Sequence, residues 1–141
     1  MEEIFEIAII IITIALLVLL IIAEWKIFSK AGEKGWKSLV PIYNIYLSHH
    51  IVGMSHMWFN LEIMFWITEA MFEINDFPEV VVLGFGIVAG LFTVISELVH
   101  LIKMCDCFSK GTGFKIGMFL IPELFIMIIA FGKAEYQKPK H

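Results

Sequence analysis

The sequence predicts an all-α, polytopic membrane protein with about four transmembrane helices plus one re-entrant or interfacial segment. Three observations carry that prediction. Residues 4–23 form an apolar run broken only by Glu6 and Thr13. At about 1.5 Å per residue, the run matches the ~30 Å hydrocarbon core of a bilayer. Composition agrees, with 60% hydrophobic and 17% charged residues and a mean hydropathy of +0.87. Further long apolar stretches follow, at residues 57–75, 80–104 and 115–132.

The first helix is apolar on every face, which a soluble domain of this size does not need. Its leading flank, Met1-Glu2-Glu3-Ile4-Phe5-Glu6, is acidic, and no small-residue cleavage site follows Ala23. A retained helix is expected rather than a signal peptide. Residues 57–75 can span if Glu62, Glu69 and Glu73 face protein or water. Residues 80–104 are apolar up to Glu97, and residues 115–132 are apolar apart from Lys115, Pro122 and Glu123. Residues 38–54 are shorter and carry Pro41, Asn44, His49 and His50, so they are expected to lie in the interface or re-enter. The whole chain, residues 1–141, is read as a single integral membrane domain.

Lysine placement sets the expected orientation. Lys26, Lys30, Lys34 and Lys37 follow the first span, and Lys103, Lys110 and Lys115 precede the last, while the 73–79 connector has no positive residue. If residues 38–53 do not cross, both basic loops share a side, which the positive-inside rule makes cytoplasmic. The N-terminus is then outside, in a multi-pass protein of the cell membrane. If they do cross, the loops face opposite sides. The mildly basic tail from Lys133 counts against the four-span arrangement, which puts it outside.

A short motif repeats. Phe28-Ser29-Lys30-Ala31-Gly32-Glu33-Lys34-Gly35-Trp36-Lys37 returns as Phe108-Ser109-Lys110-Gly111-Thr112-Gly113-Phe114-Lys115, each copy between an apolar helix and a proline, Pro41 or Pro122. A weaker copy is Gly53-Met54-Ser55-His56-Met57-Trp58. Lys30, Gly35, Trp36, Lys110, Gly113 and Phe114 are thus candidates for a headgroup-level turn, with backbone amides gripping a lipid phosphate as the sharper alternative.

Trp25-Lys26-Ile27-Phe28, the Gly32–Trp36 turn, Leu39-Val40-Pro41-Ile42-Tyr43-Asn44-Ile45-Tyr46, Gly111-Thr112-Gly113-Phe114 and Ala130-Phe131-Gly132 resemble a family of small prokaryotic membrane proteins of unknown function. Some of its members are labelled signal peptidase I. The resemblance implies an integral membrane protein and brings no activity with it. Gly53-Met54-Ser55-His56-Met57 imitates the Gly-x-Ser-x-Met of a signal peptidase nucleophile. The residues that continue that motif are missing, and no β-rich segment follows to supply an activating lysine. No catalytic residue and no cofactor are expected.

The chemistry lies in carboxylates at membrane depth. Glu62, Glu69 and Glu73, spaced by seven and four, share a helix face. So do Gly86, Gly90, Thr93, Glu97 and His100, and Gly86-x-x-x-Gly90 is a pattern for close helix packing. Glu123 follows Pro122, where the backbone ladder is interrupted. An ionised carboxylate at mid-membrane costs on the order of 3 kcal/mol. Three explanations compete: hydrogen bonds between helices, a proton or small-cation pathway, and a metal site built on Glu97-x-x-His100. His49, His50 and His56 read as interfacial polar residues, and Cys105-Asp106-Cys107 as free thiols with soft-metal binding or redox sensing as the alternative.

The expectation drawn from these residues is a non-enzymatic, oligomeric membrane protein that conducts or transports a proton or small cation. The alternative is a scaffold or accessory subunit of a secretion or processing complex. The partners expected are the lipid bilayer, further copies of the chain and a membrane-protein partner. A net charge of −4 without a basic, aromatic-studded stripe excludes nucleic acid.

Overall fold

The computed structural model describes residues 1–75 and 77–139, with Glu2 and Glu3 described by their backbone alone. Six α-helices occur among the described residues: α1 (Glu2–Lys30), α2 (Pro41–Ile51), α3 (His56–Ile74), α4 (Glu79–Cys107), α5 (Thr112–Leu120) and α6 (Pro122–Phe131). A 3-10 turn, Gly35–Leu39, precedes α2, and the described residues hold no strand. The chain is all-helical. Two of the helices, α1 and α4, are long and apolar enough to cross a membrane.

Three helix ends close in the same way. At the end of α1 the Gly32 and Glu33 amides donate to the Ser29 and Phe28 carbonyls (3.2 and 2.9 Å). Gly53 and Met54 repeat the pattern onto His50 and His49, and Ser109 and Lys110 onto Asp106 and Cys105. Each pair is a Schellman closure, which needs a left-handed residue just past the helix. Gly32 (φ 83°), Gly53 (φ 71°) and Ser109 (φ 53°) occupy those positions. The three helix ends thus share one kind of stop, with Ser109 where glycine is the usual choice, but the Phe-Ser-Lys repeat is out of step with it, since Ser29 lies inside α1 and Ser109 past the end of α4.

These closures gather at one end of the molecule. Lys30 Nζ donates to the carbonyls of Ile129 (2.6 Å), Gly132 (2.8 Å) and Ala134 (3.1 Å), joining the ends of α1 and α6. The Tyr136 hydroxyl donates to Ile51 O at the end of α2 (2.6 Å), and the Gln137 amide to Cys107 O at the end of α4 (2.7 Å). The buried core sits there too, with Ile27, Phe28, Leu47, Val52, Met104, Phe108, Met118 and Ile129 closed off from solvent. Away from it, residues 4–19 of α1 are exposed throughout. Helices α3 and α4 run antiparallel along an aromatic ladder in which Trp58 and Phe92 stack (5.4 Å) and Phe65 meets Phe85 (5.4 Å).

The expected fourth crossing over residues 115–132 is corrected here. Ile121 (φ −141°, ψ 72°) separates α5 from α6, and Pro122 starts α6 where a missing N–H costs nothing. Proline also drives the residue before it out of the α region, which a continuous apolar run conceals. The two short helices fold against each other, with the Phe125 ring in the space a Gly117 side chain would fill and edge-on to Phe114 (4.7 Å). Since α5 leaves from the end of α4 and α6 returns to the end of α1, the segment is a hairpin rather than a span.

Candidate functional site: a polar cavity among four helices

A cavity of 290 Å³ opens where α1, α2, α3 and α4 face one another, with Ile126 of α6 closing part of it. Pro41 starts α2 away from the gathered helix ends, so Asn44, Ser48 and His49 descend one face of a helix beside the long ones. Asn44 Nδ2 donates to Glu24 Oε2 of α1 (2.8 Å). Ser48 Oγ lies 2.7 Å from His100 Nε2 of α4. The Ser96 hydroxyl, fully buried on α4, donates to Glu62 Oε1 of α3 (2.5 Å). Glu97, one position on, also lines the cavity.

His49 is the centre of this arrangement. It is 7% exposed, and its Nδ1 stands 2.8 Å from the Ile45 carbonyl. A carbonyl can only accept, so Nδ1 carries a proton. Nε2 then faces Glu62 Oε1 at 3.6 Å, a distance for an ion pair but beyond a hydrogen bond, and it has no hydrogen-bond partner. Two states satisfy that geometry: an imidazolium opposite a carboxylate, or a neutral ring opposite a protonated Glu62. Either way the pair holds one exchangeable proton. The His100 ring stands 5.5 Å from that of His49, with its Nε2 held by the Ser48 hydroxyl.

The sequence-expected residues divide between places. Glu62, Glu97 and His100 meet in this cavity. Glu69, Glu73 and Gly86 line a separate one of 310 Å³, further along α3 and α4 towards the opposite end. Glu123 is exposed at the start of α6 and lines neither. A β-carbon on Gly86 or Gly90 meets nothing, so the expected close packing of that face has no partner helix within the chain. Lys30 is not free for lipid, since three carbonyls take its three donors. Gly35 is buried against the Trp25 indole, Trp36 is 50% exposed, and Lys110 lies over the Phe114 ring (5.0 Å), with Gly113 open beside it.

Glu24, Ser48 and Ser96 were not picked out from sequence, and His49 was read as an interfacial polar residue. His49 is corrected outright: it is buried, while His50 is exposed and stacks with Tyr46 and His56. The signal available was its i, i+4 spacing from Ile45, which turns it about 100° round α2 from His50.

Ser55 caps α3, its hydroxyl accepting from the Met57 amide (3.3 Å), and Lys103 donates to the Gly53 carbonyl (3.2 Å). No hydrogen bond joins Ser55 to Lys103. Cys105 and Cys107 are free and buried, Cys105 against the Met118 sulfur (3.2 Å). Nearby, burial pushes the Tyr136 phenol above its ordinary range. Among the described residues no three His, Cys, Asp or Glu side chains stand close enough to share a metal ion.

Residues 36–139 match a family of unknown function, DUF5684. The match covers most of the chain. The protein belongs to this family. No curated protein and no solved structure matches it.

Proposed function

We propose that the protein is a multi-pass, non-enzymatic membrane protein that moves protons, or a small cation exchanging with them, through the cavity around His49 and Glu62. The observation that carries this reading is the convergence of three carboxylates and two imidazoles from four helices on one cavity of 290 Å³. If α1 and α4 both cross, they cross in the same sense, because their C-terminal turns meet the same tail. The chain must cross back between them. Helix α3, with 19 residues and about 28 Å of length, is the one able to do so. Three crossings and two re-entrant hairpins replace the four spans expected, with the N-terminus outside and every described lysine on the other side.

The two cavities follow one another along the α3–α4 face, with Glu69 and Glu73 towards the outer end and Glu62, Glu97 and the histidines deeper. Beyond them Leu101, Met104 and Ile51 close the way to the lysine end. On this reading a proton enters from the outer side towards the pair, across the gap between the two cavities, and passage onward requires the apolar closure to open. The test is proton flux into liposomes, wild type beside Glu97→Gln and Glu69→Gln, with potassium and sodium gradients run separately. Loss of flux in folded Glu97→Gln protein is expected; unchanged proton and cation flux in both variants removes these carboxylates from the path.

A second reading, a scaffold or accessory subunit, draws on the bare length of α1 and on the unpartnered Gly86–Gly90 face, which also suits self-association. It expects both glutamine variants to be silent. It further expects a co-purifying membrane partner to be lost when Trp36 or Tyr43, both exposed, is replaced by alanine.

A further inference from the structure

All ten basic residues of the chain are lysines, and the fold collects the nine described ones at one end. Lys26 and Lys30 lie in the last turns of α1, Lys34 and Lys37 just after it, and Lys103 near the end of α4. Lys110 and Lys115 flank the start of α5, and Lys133 and Lys138 lie on the tail. These are the elements that Lys30, Lys103, Tyr136 and the Gln137 amide tie together. Two of the carboxylates at that end are already matched, Glu33 by Lys37 (2.6 Å) and Asp106 by Lys115 (2.5 Å). Lys26, Lys34, Lys103, Lys110, Lys133 and Lys138 have no carboxylate within ion-pair distance among the described residues. At the other end stand Glu6, Glu69, Glu73 and Glu79, with none of the described lysines.

We infer that the lysine end is a docking surface for anionic phospholipid headgroups. The inference rests on the multi-pass reading but not on conduction. Four helices, α1, α2, α4 and α6, point their C-termini here against the N-termini of α3 and α5, so the helix ends are on balance negative. That disfavours a single anion seated among the carbonyls. It leaves a diffuse attraction from lysine heads spread over the surface, which suits a charged leaflet. Lys26 over the Phe131 ring (5.2 Å) and Lys110 over Phe114 keep those ammonium groups at the level where ring and headgroup meet. Each lysine near an anionic surface strengthens association by about fivefold at low salt.

The experiment is tryptophan quenching in vesicles of phosphatidylcholine with phosphatidylglycerol, one lipid or the other brominated. Trp25 and Trp36, both partly exposed at this end, report contact. Brominated phosphatidylglycerol should quench several-fold more effectively at equal mole fraction. The preference should fall when Lys26, Lys34, Lys133 and Lys138 are together changed to glutamine, and again in high salt, while circular dichroism shows the same helix content. Equal quenching by the two lipids in wild type overturns the inference, as does an undiminished preference in the fourfold variant. Lipid preference without proton flux leaves this surface standing and removes the functional reading.

Discussion

Lys30 shows how a charge is used when its surroundings offer only backbone. Its three donors meet Ile129 O, Gly132 O and Ala134 O, and thereby satisfy carbonyls that the end of α6 leaves open. Methionine keeps most of the side chain's volume and removes all three bonds. Lys30→Met should therefore lower the stability of the purified protein by about 2 kcal/mol, read as a fall in thermal midpoint. Gly35 acts through absence: a β-carbon there runs into the Trp25 indole, which must then shift from its place against the turn. Gly35→Ala should cost roughly 1–3 kcal/mol, whereas Gly90→Ala, with open space around it, should cost little unless copies of the chain pack on that face. A Gly90→Ala variant that dissociates an oligomer would supply the missing partner. At His49, the Ile45 carbonyl fixes which nitrogen keeps its proton, so that Nε2 alone answers to Glu62.

At the level of elements, composition alone locates α1 and α4, since greasy runs of that length have few alternatives in a chain so apolar. The break at Ile121 was not legible in the same way. Residues on both sides of it are apolar, and hydropathy does not register direction; the marks were Pro122 and the bare Gly117 that accepts Phe125. The cavity was half legible. Glu62, Glu97 and His100 lie on faces that helical spacing identifies, but their partners Glu24 and His49 come from elements whose approach depends on the turns after α1 and α2. The hairpin has a consequence for topology. A cysteine replacing Glu135 on the tail should react with an impermeant maleimide from the same side as one replacing Lys34, and from the side opposite one replacing Asn75. Cys105 and Cys107, being buried, should contribute little background. Labelling of the Glu135 and Asn75 positions from one side would restore the fourth crossing.

For the whole molecule, the arrangement amounts to a division of labour along the long helices. Lysines and helix ends occupy one extremity, the packed core lies beside them, and the polar cavity follows. Acidic residues and exposed apolar helix take the rest. Burying carboxylates near the core is costly, and the hydrogen bonds from Asn44 and Ser96 offset only part of that cost, at roughly 0.6 kcal/mol each in membrane helices. Removing the ionisable groups should accordingly leave the fold intact or more stable, with Glu62→Gln still able to accept from Ser96. The measurement that tests the account most directly is proton flux in liposomes of Glu62→Gln beside Glu123→Gln, both shown to be folded. The account predicts that Glu62→Gln falls to the level of empty vesicles while Glu123→Gln, whose carboxylate lies outside the cavity, matches wild type. Wild-type flux through Glu62→Gln would contradict it.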